Sequence, residues 1–144
     1  GSYVRERGGE VGTRSGRARR CGPFDAPIVK YGLKVVGAEK GDEIALTKLD
    51  VLSGLKKIPV CVAYVYKKKV YKEAPFADAD FLSRVKPKLI YLPGWKEEIA
   101  STRSFNDLPP EAQKYVLFIE KLLGVKVTFI GTGKHKDVTD YDSI

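Results

Sequence analysis

The chain has 144 residues, long enough to bury one real core and too short for two independent domains. With 43% hydrophobic and 31% charged residues it has the composition of an ordinary globular protein, and no apolar run approaches the ~18 residues that a membrane helix needs. The net charge of +8 suits nucleic acid, acidic lipid or small anionic ligands, so the placement of the charge has to decide among them.

In chain order, residues 1–23 are rich in Gly and Arg and lack apolar periodicity, which predicts an irregular, mobile loop. This stretch carries Arg5, Arg7, Arg14, Arg17, Arg19 and Arg20. It opens Gly1-Ser2, with no methionine in the chain, and no signal peptide is visible; the start reads as a cloning scar on a fragment. Asp25 then offers an N-cap to a helix in which Ile28, Tyr31, Val35 and Val36 recur at helical spacing, ended by Gly37. After a Gly41-Asp42 turn, residues 43–47 predict a short buried strand that delivers Lys48-Leu49-Asp50 at its carboxyl end.

A second strand is expected at 58–66, turning at Lys67-Lys68-Lys69 into Val70-Tyr71-Lys72, so that the lysines form a solvated hairpin tip. Residues 78–85 suit a short capped helix, followed by a strand at 88–92 that ends at Pro93-Gly94-Trp95. Pro110 fits the first turn of the strongest helix, in which Ala112, Tyr115, Val116, Ile119, Leu122 and Leu123 make one apolar stripe closed by Gly124. A last strand at 125–130 runs into Gly131-Thr132-Gly133-Lys134. Strands alternating with helices predict an α/β layer architecture with ligands gathered at the carboxyl ends of the strands.

Three segments are able to carry chemistry. In Gly12-Thr13-Arg14-Ser15-Gly16-Arg17-Ala18-Arg19-Arg20 the glycines let backbone amides approach a ligand, and the arginines offer planar donors to a small dianion. A disordered basic segment or an RNA-binding Arg/Gly stretch has the same composition. In Thr47-Lys48-Leu49-Asp50 a carboxylate fixed after a strand can accept from both N1 and the exocyclic amine of guanine, with the lysine stem over the base; an ordinary surface ion pair has the same pattern. Gly131-Thr132-Gly133 exposes amides to a base carbonyl or phosphate, or is a plain glycine turn. Cys21 and Cys61 stand well apart and His135 is the single histidine, so no zinc site is expected and a reducing, cytoplasmic setting fits. No Ser/His/Asp or Cys/His set stands out, so no catalytic residue is expected within the chain.

Taken together, residues 12–22, Ala45-Leu46-Thr47-Lys48-Leu49-Asp50-Val51-Leu52, Val60-Cys61-Val62-Ala63-Tyr64, Leu92-Pro93-Gly94-Trp95-Lys96 and Asp107-Leu108-Pro109 resemble, in this order, the adenylosuccinate synthetase family. The resemblance implies the C-terminal part of a large, mixed-sheet fold like that of P-loop GTPases: residues 1–23 a substrate loop, 24–144 a guanine-binding α/β part. It implies a cytoplasmic homodimer that ligates IMP and L-aspartate at the expense of GTP, the first committed step from IMP to AMP. An aspartate base would deprotonate IMP so that O6 takes the γ-phosphoryl group, which the amino group of L-aspartate then displaces as phosphate. By the same likeness Thr13, Arg14, Ser15, Gly16, Arg17, Ala18 and Arg19 grip L-aspartate, Arg17 also touches IMP and Arg19 reaches GTP. Lys48, Leu49, Asp50, Gly131, Thr132 and Gly133 would surround the guanine. The catalytic pair and the Mg2+ ligands belong to a part outside this chain, which on this reading is inactive alone. Arg14 and Ser15 stand where the family has threonines, and Pro23 where it commonly has tryptophan. A basic nucleic-acid-binding module and a non-catalytic nucleotide-binding subunit are the alternative readings; no membrane and no nucleic-acid partner are expected.

Overall fold

A computed structural model of the chain describes residues 1–39, 41–75 and 78–133, together with the backbone of 138–140. It is a mixed α/β structure built on two small sheets. The first is organised by β3 (Lys57–Tyr66), the long apolar run expected near 58–66. Strand β5 (Lys86–Pro93) lies antiparallel along nearly the whole of one edge of β3, from Lys57↔Pro93 to Val65↔Lys86. The other edge is therefore divided between β1 (Phe24–Asp25), parallel at Phe24↔Val60, and β4 (Lys69–Tyr71), antiparallel at Tyr64↔Tyr71. The second sheet joins β2 (Glu43–Leu46) in parallel to β6 (Lys126–Gly131), with β7 (Val138–Asp140) antiparallel on the far side.

Helix α4 (Pro110–Leu123) forms as its sequence dictates: proline in the first turn, Gly124 at φ 79° after the last, and Ala112, Tyr115, Val116 and Ile119 buried. Those residues meet Ile58 and Val60 of β3 and Val127 and Ile130 of β6 in the main core. A smaller cluster gathers Cys61, Tyr64, Ala74 and Phe81, the last from α3 (Ala79–Arg84), which Asp78 caps by accepting from the amides of Asp80 and Phe81. Burial pushes the Cys61 thiol up to about 11, leaving it protonated and poorly nucleophilic at neutral pH. Titration with a thiol reagent at pH 8 should therefore label the half-buried Cys21 well before the buried Cys61.

Four expectations need correction. Residues 1–23 are not irregular throughout: α1 (Ser2–Gly8) precedes an antiparallel bridge, Val11↔Ala18. No residue of α1 is buried, so the helix leaves no apolar stripe in the sequence; it is tied down by polar bonds such as Tyr3 Oη to the Ser53 carbonyl at 2.6 Å. Asp25 precedes α2 (Ala26–Val35) but does not cap it with its side chain, because both carboxylate oxygens accept from the Tyr64 hydroxyl at 2.7 Å. The apolar stripe of α2 is covered at Ile28 and Tyr31, whereas Val35 and Val36 are 65% and 77% exposed. Strand β2 is not fully buried: as an edge strand it alternates between exposed and half-buried positions.

The lysine triplet does form the β3–β4 tip, with Lys67 and Lys68 at φ 46° and 65°. Two consecutive positive φ values make a tight hairpin turn that asparagine and glycine adopt with less strain than lysine. Lys67 and Lys69 hold their ammonium groups 5.3 and 5.1 Å from the ring centres of Tyr66 and Tyr71. Replacing Lys67-Lys68 by Asn-Gly should raise stability by about 1–2 kcal/mol, read as an upward shift of the melting temperature. Among the described residues no helix is long and apolar enough to cross a membrane.

Candidate functional site

Strand β2 ends at Leu46, and Lys48 turns the chain in a left-handed conformation (φ 59°, ψ 36°) into a single 3-10 turn, Leu49–Leu52. Leu49 is 1% exposed and anchors this turn in the main core, so its side chain supports the loop from below. Lys48 is held by its own side chain: Nζ donates to the Gly8 carbonyl at 3.2 Å and to the Glu10 carboxylate.

Asp50 is the chemically conspicuous residue of the turn. Its Oδ1 is buried and, among the described residues, accepts no hydrogen bond. Burial raises the Asp50 pKa from its ordinary value, an effect that a backbone hydrogen bond and the neighbouring Arg7 and Lys48 only partly offset. Leaving a buried acceptor unmet costs about 1–3 kcal/mol, so one retained at a loop between strand ends marks a place where a ligand donor is expected. Arg7 braces the loop from α1: its guanidinium donates to Glu98 at 2.6 Å and, at 3.4 Å, to the main-chain oxygen of Asp50.

The carboxyl end of β6 arrives beside this turn. A Cβ on Gly131 would lie 3.2 Å from Thr47 Cα and 3.4 Å from Lys48 N, so only glycine lets the two strand ends approach this closely. Thr132 follows, wholly buried, with Oγ1 donating to the Thr102 carbonyl at 3.4 Å. Gly133 closes the described part of the segment; Lys134 and His135 lie outside the described residues.

The arginine segment is a small, pinned hairpin. Gly12 N donates to the Arg17 carbonyl and Gly16 N to the Gly12 carbonyl, both at 2.8 Å, and Arg19 N donates to the Glu10 carbonyl at 2.9 Å. Gly16 takes φ 62° at the tip, and Ser15 Oγ accepts from Arg17 N at 3.3 Å. Thr13, Arg14, Ser15, Gly16, Arg17, Ala18 and Arg19 are all exposed. Arg19 NH1 donates to Glu10 at 2.9 Å, whereas Arg14, Arg17 and Arg20 have no acidic partner among the described residues. The loop therefore presents three uncompensated guanidinium groups, a ready receptor for a small polyanion.

The predicted residues thus fall into two groups. Lys48, Asp50, Gly131 and Thr132 meet at the ends of β2 and β6, while residues 13–17 stand out in solvent. Only Arg19 is linked to the first group, through Glu10. A cavity of about 230 Å3 opens between α1 and the Lys48 loop, with Glu10, Thr47, Lys48 and Tyr115 in its wall. A larger cleft of about 530 Å3, around Lys30, Lys34 and Gly124, contains none of the predicted residues. Sequence reasoning missed Arg7, Glu10 and Glu98. An acid inside an arginine-rich stretch was the available signal for Glu10; Glu98 pairs with Arg7 across ninety-one positions and left none.

The adenylosuccinate synthetase of Mycolicibacterium smegmatis is 47% identical over 139 residues, covering 96% of this chain and 31% of that protein. That of Thermobifida fusca is 46% identical, again over 96% of this chain and 32% of its own length. The structure of fully ligated adenylosuccinate synthetase from Plasmodium falciparum superposes with a TM-score of 0.90 at 36% identity, covering 99% of this chain and 34% of that one. The chain accordingly spans about a third of the length of the relatives it matches. With the adenylosuccinate synthetase family model matching residues 1–139 as well, the chain belongs to that family.

Proposed function

We propose that the protein carrying this chain ligates IMP and L-aspartate to adenylosuccinate with GTP, and that this segment selects the guanine and holds the dicarboxylate. The observation that carries the reading is the buried Oδ1 of Asp50, without a partner among the described residues and set where β2 and β6 end together. A carboxylate there accepts from both N1–H and the 2-amino group of guanine, and adenine offers neither donor. The uncompensated Arg14 and Arg17 suit the two carboxylates of L-aspartate, Arg17 also suits the phosphate of IMP, and Arg19 suits the phosphates of GTP. The amides of Gly131 and Gly133 fit beside the base.

Holding the two anionic substrates in one orientation and offsetting their mutual repulsion is the catalytic contribution open to these residues. Mg2+ would neutralise the phosphates when bound. Among the described residues, however, no three His, Cys, Asp or Glu side chains come together to hold a metal. A cytoplasmic homodimer is part of the same reading.

The test is product formation by the full-length protein from IMP, L-aspartate and nucleotide. GTP should support the reaction and ATP should not, and equal rates with both would sink the guanine-selecting role. Arg17→Lys should raise the KM for L-aspartate roughly ten- to a hundredfold, the worth of about 1.5–3 kcal/mol in charge-assisted hydrogen bonds that a point charge does not reproduce.

A further inference from the structure

We propose that Glu10 is a positioning residue: one carboxylate fastens the arginine hairpin to the Lys48–Asp50 loop, so that Arg19 and Lys48 are presented as a pair to a single nucleotide. This role rests on the proposed function and adds to it a residue that reaches no ligand itself.

Glu10 divides its two oxygens between two elements. Oε2 accepts from Arg19 NH1 at 2.9 Å, and Oε1 accepts from Lys48 Nζ. Its side chain is 16% exposed, against 57% for Arg19 and 50% for Lys48, so the carboxylate sits inward and its partners reach over it. The backbone repeats the first link, since Arg19 N donates to the Glu10 carbonyl and closes the base of the hairpin. Gly9, at φ 57°, ends α1 and sets the direction in which Glu10 leaves it.

The Lys48 link matters because of its backbone. A lysine in the left-handed region is strained, and such a conformation persists where surrounding contacts over-determine it. Here those contacts are the Glu10 carboxylate and the Gly8 carbonyl on Nζ. Lys48 immediately precedes the turn that Leu49 anchors in the main core, so the clamp fixes where the lysine ammonium stands beside Arg19, while Asp50 is held by that separate anchor. The two donors of Glu10 outcompete a proton for it: hydrogen bonds from Lys48 first and Arg19 second hold its pKa below the ordinary range.

Residues that act through a shared third group are non-additive, and the coupling disappears when that group is removed. GTP affinity of the full-length protein, measured by isothermal titration, should therefore fall less in the Arg19→Ala/Lys48→Ala double variant than the product of the two single losses. In the Glu10→Gln background the same two losses should simply multiply. Glu10→Gln alone should weaken GTP and ATP by the same factor, roughly tenfold, leaving their ratio unchanged, with Glu10→Asp recovering part of the loss. Multiplicative losses in the parent protein, or unchanged coupling in Glu10→Gln, overturn the role of Glu10 while leaving GTP selectivity standing. A full-length protein that binds GTP and ATP alike overturns the proposed function and this role with it.

Discussion

Asp50→Asn in the full-length protein is expected to cut the preference for GTP over ATP by about a hundredfold or more, without loss of thermal stability. The carboxylate offers acceptors on both oxygens, whereas an amide offers one acceptor and turns a donor toward a donor of the base. Losing one charged hydrogen bond and opposing a second donor is worth about 3 kcal/mol, hence the hundredfold change. The stability half follows from burial. Because the folded-state pKa of Asp50 is raised, the folded chain binds this proton more tightly than the unfolded chain does. The stabilising, protonated form is then complete in acid and is lost as the pH rises through the folded pKa. At neutral pH the ionised group is a burden on the fold that asparagine removes. Titration calorimetry gives the first quantity and thermal melts the second. A variant that keeps its selectivity, or loses it only because it melts, refutes the assignment.

Trp95→Ala is expected to cost about 3–5 kcal/mol, a large share of the 5–15 kcal/mol by which domains of this kind are stable. Trp95 is 2% exposed in the main core, with its ring at a steep angle to that of Tyr115, centroids 6.2 Å apart. Its Nε1 donates to Ser53 Oγ at 2.9 Å, and Ser53 is wholly buried. Trp95→Phe fills most of the volume but orphans the Ser53 hydroxyl, for about 1–3 kcal/mol. Gly94→Ala is harsher in geometry, since its Cβ would fall 1.8 Å from the Leu55 carbonyl oxygen. Chemical denaturation of the full-length protein should rank Trp95→Phe above Trp95→Ala; equal losses would mean that the ring volume is not what Trp95 supplies. Ser53 directly follows the turn that holds Asp50, so the same core bond supports the Lys48–Asp50 loop from beneath.

How far the sequence reveals this structure depends on what holds each element. Helix α4 is legible because its stability comes from an apolar stripe between Pro110 and Gly124, and both leave a periodic trace. Helix α1 is not, since its bonds run from Tyr3 and Arg7 to residues far along the chain. Strand β1 is two residues long and exists because β3 lies beside it. Asp25 is the right residue type for a cap, yet a tyrosine hydroxyl from β3 takes its carboxylate, a competition visible only once the chain has folded. The site divides along the same line. The segments Lys48–Asp50 and Gly131–Gly133 were found through family resemblance, each being a weak pattern alone. The carboxylate that joins the first of them to the arginine loop was half legible: an acid inside a run of Arg marks a cation partner close by, but it does not name Lys48 until that residue arrives from another strand.

The parallel pairing of β2 with β6 also sets a schedule for synthesis. Glu43 finds Lys126 only after about eighty further residues have been made, which at ~5–20 residues per second is a wait of roughly four to sixteen seconds. Over that interval the strand leading to Lys48 and Asp50 has an unfilled edge, while the β3–β5 ladder, closed over a shorter stretch of chain, is free to assemble first. The corner where β2 and β6 end together therefore takes shape later in synthesis than the β3–β5 ladder, and over that interval the open edge of β2 is a surface for a nascent-chain chaperone to shield.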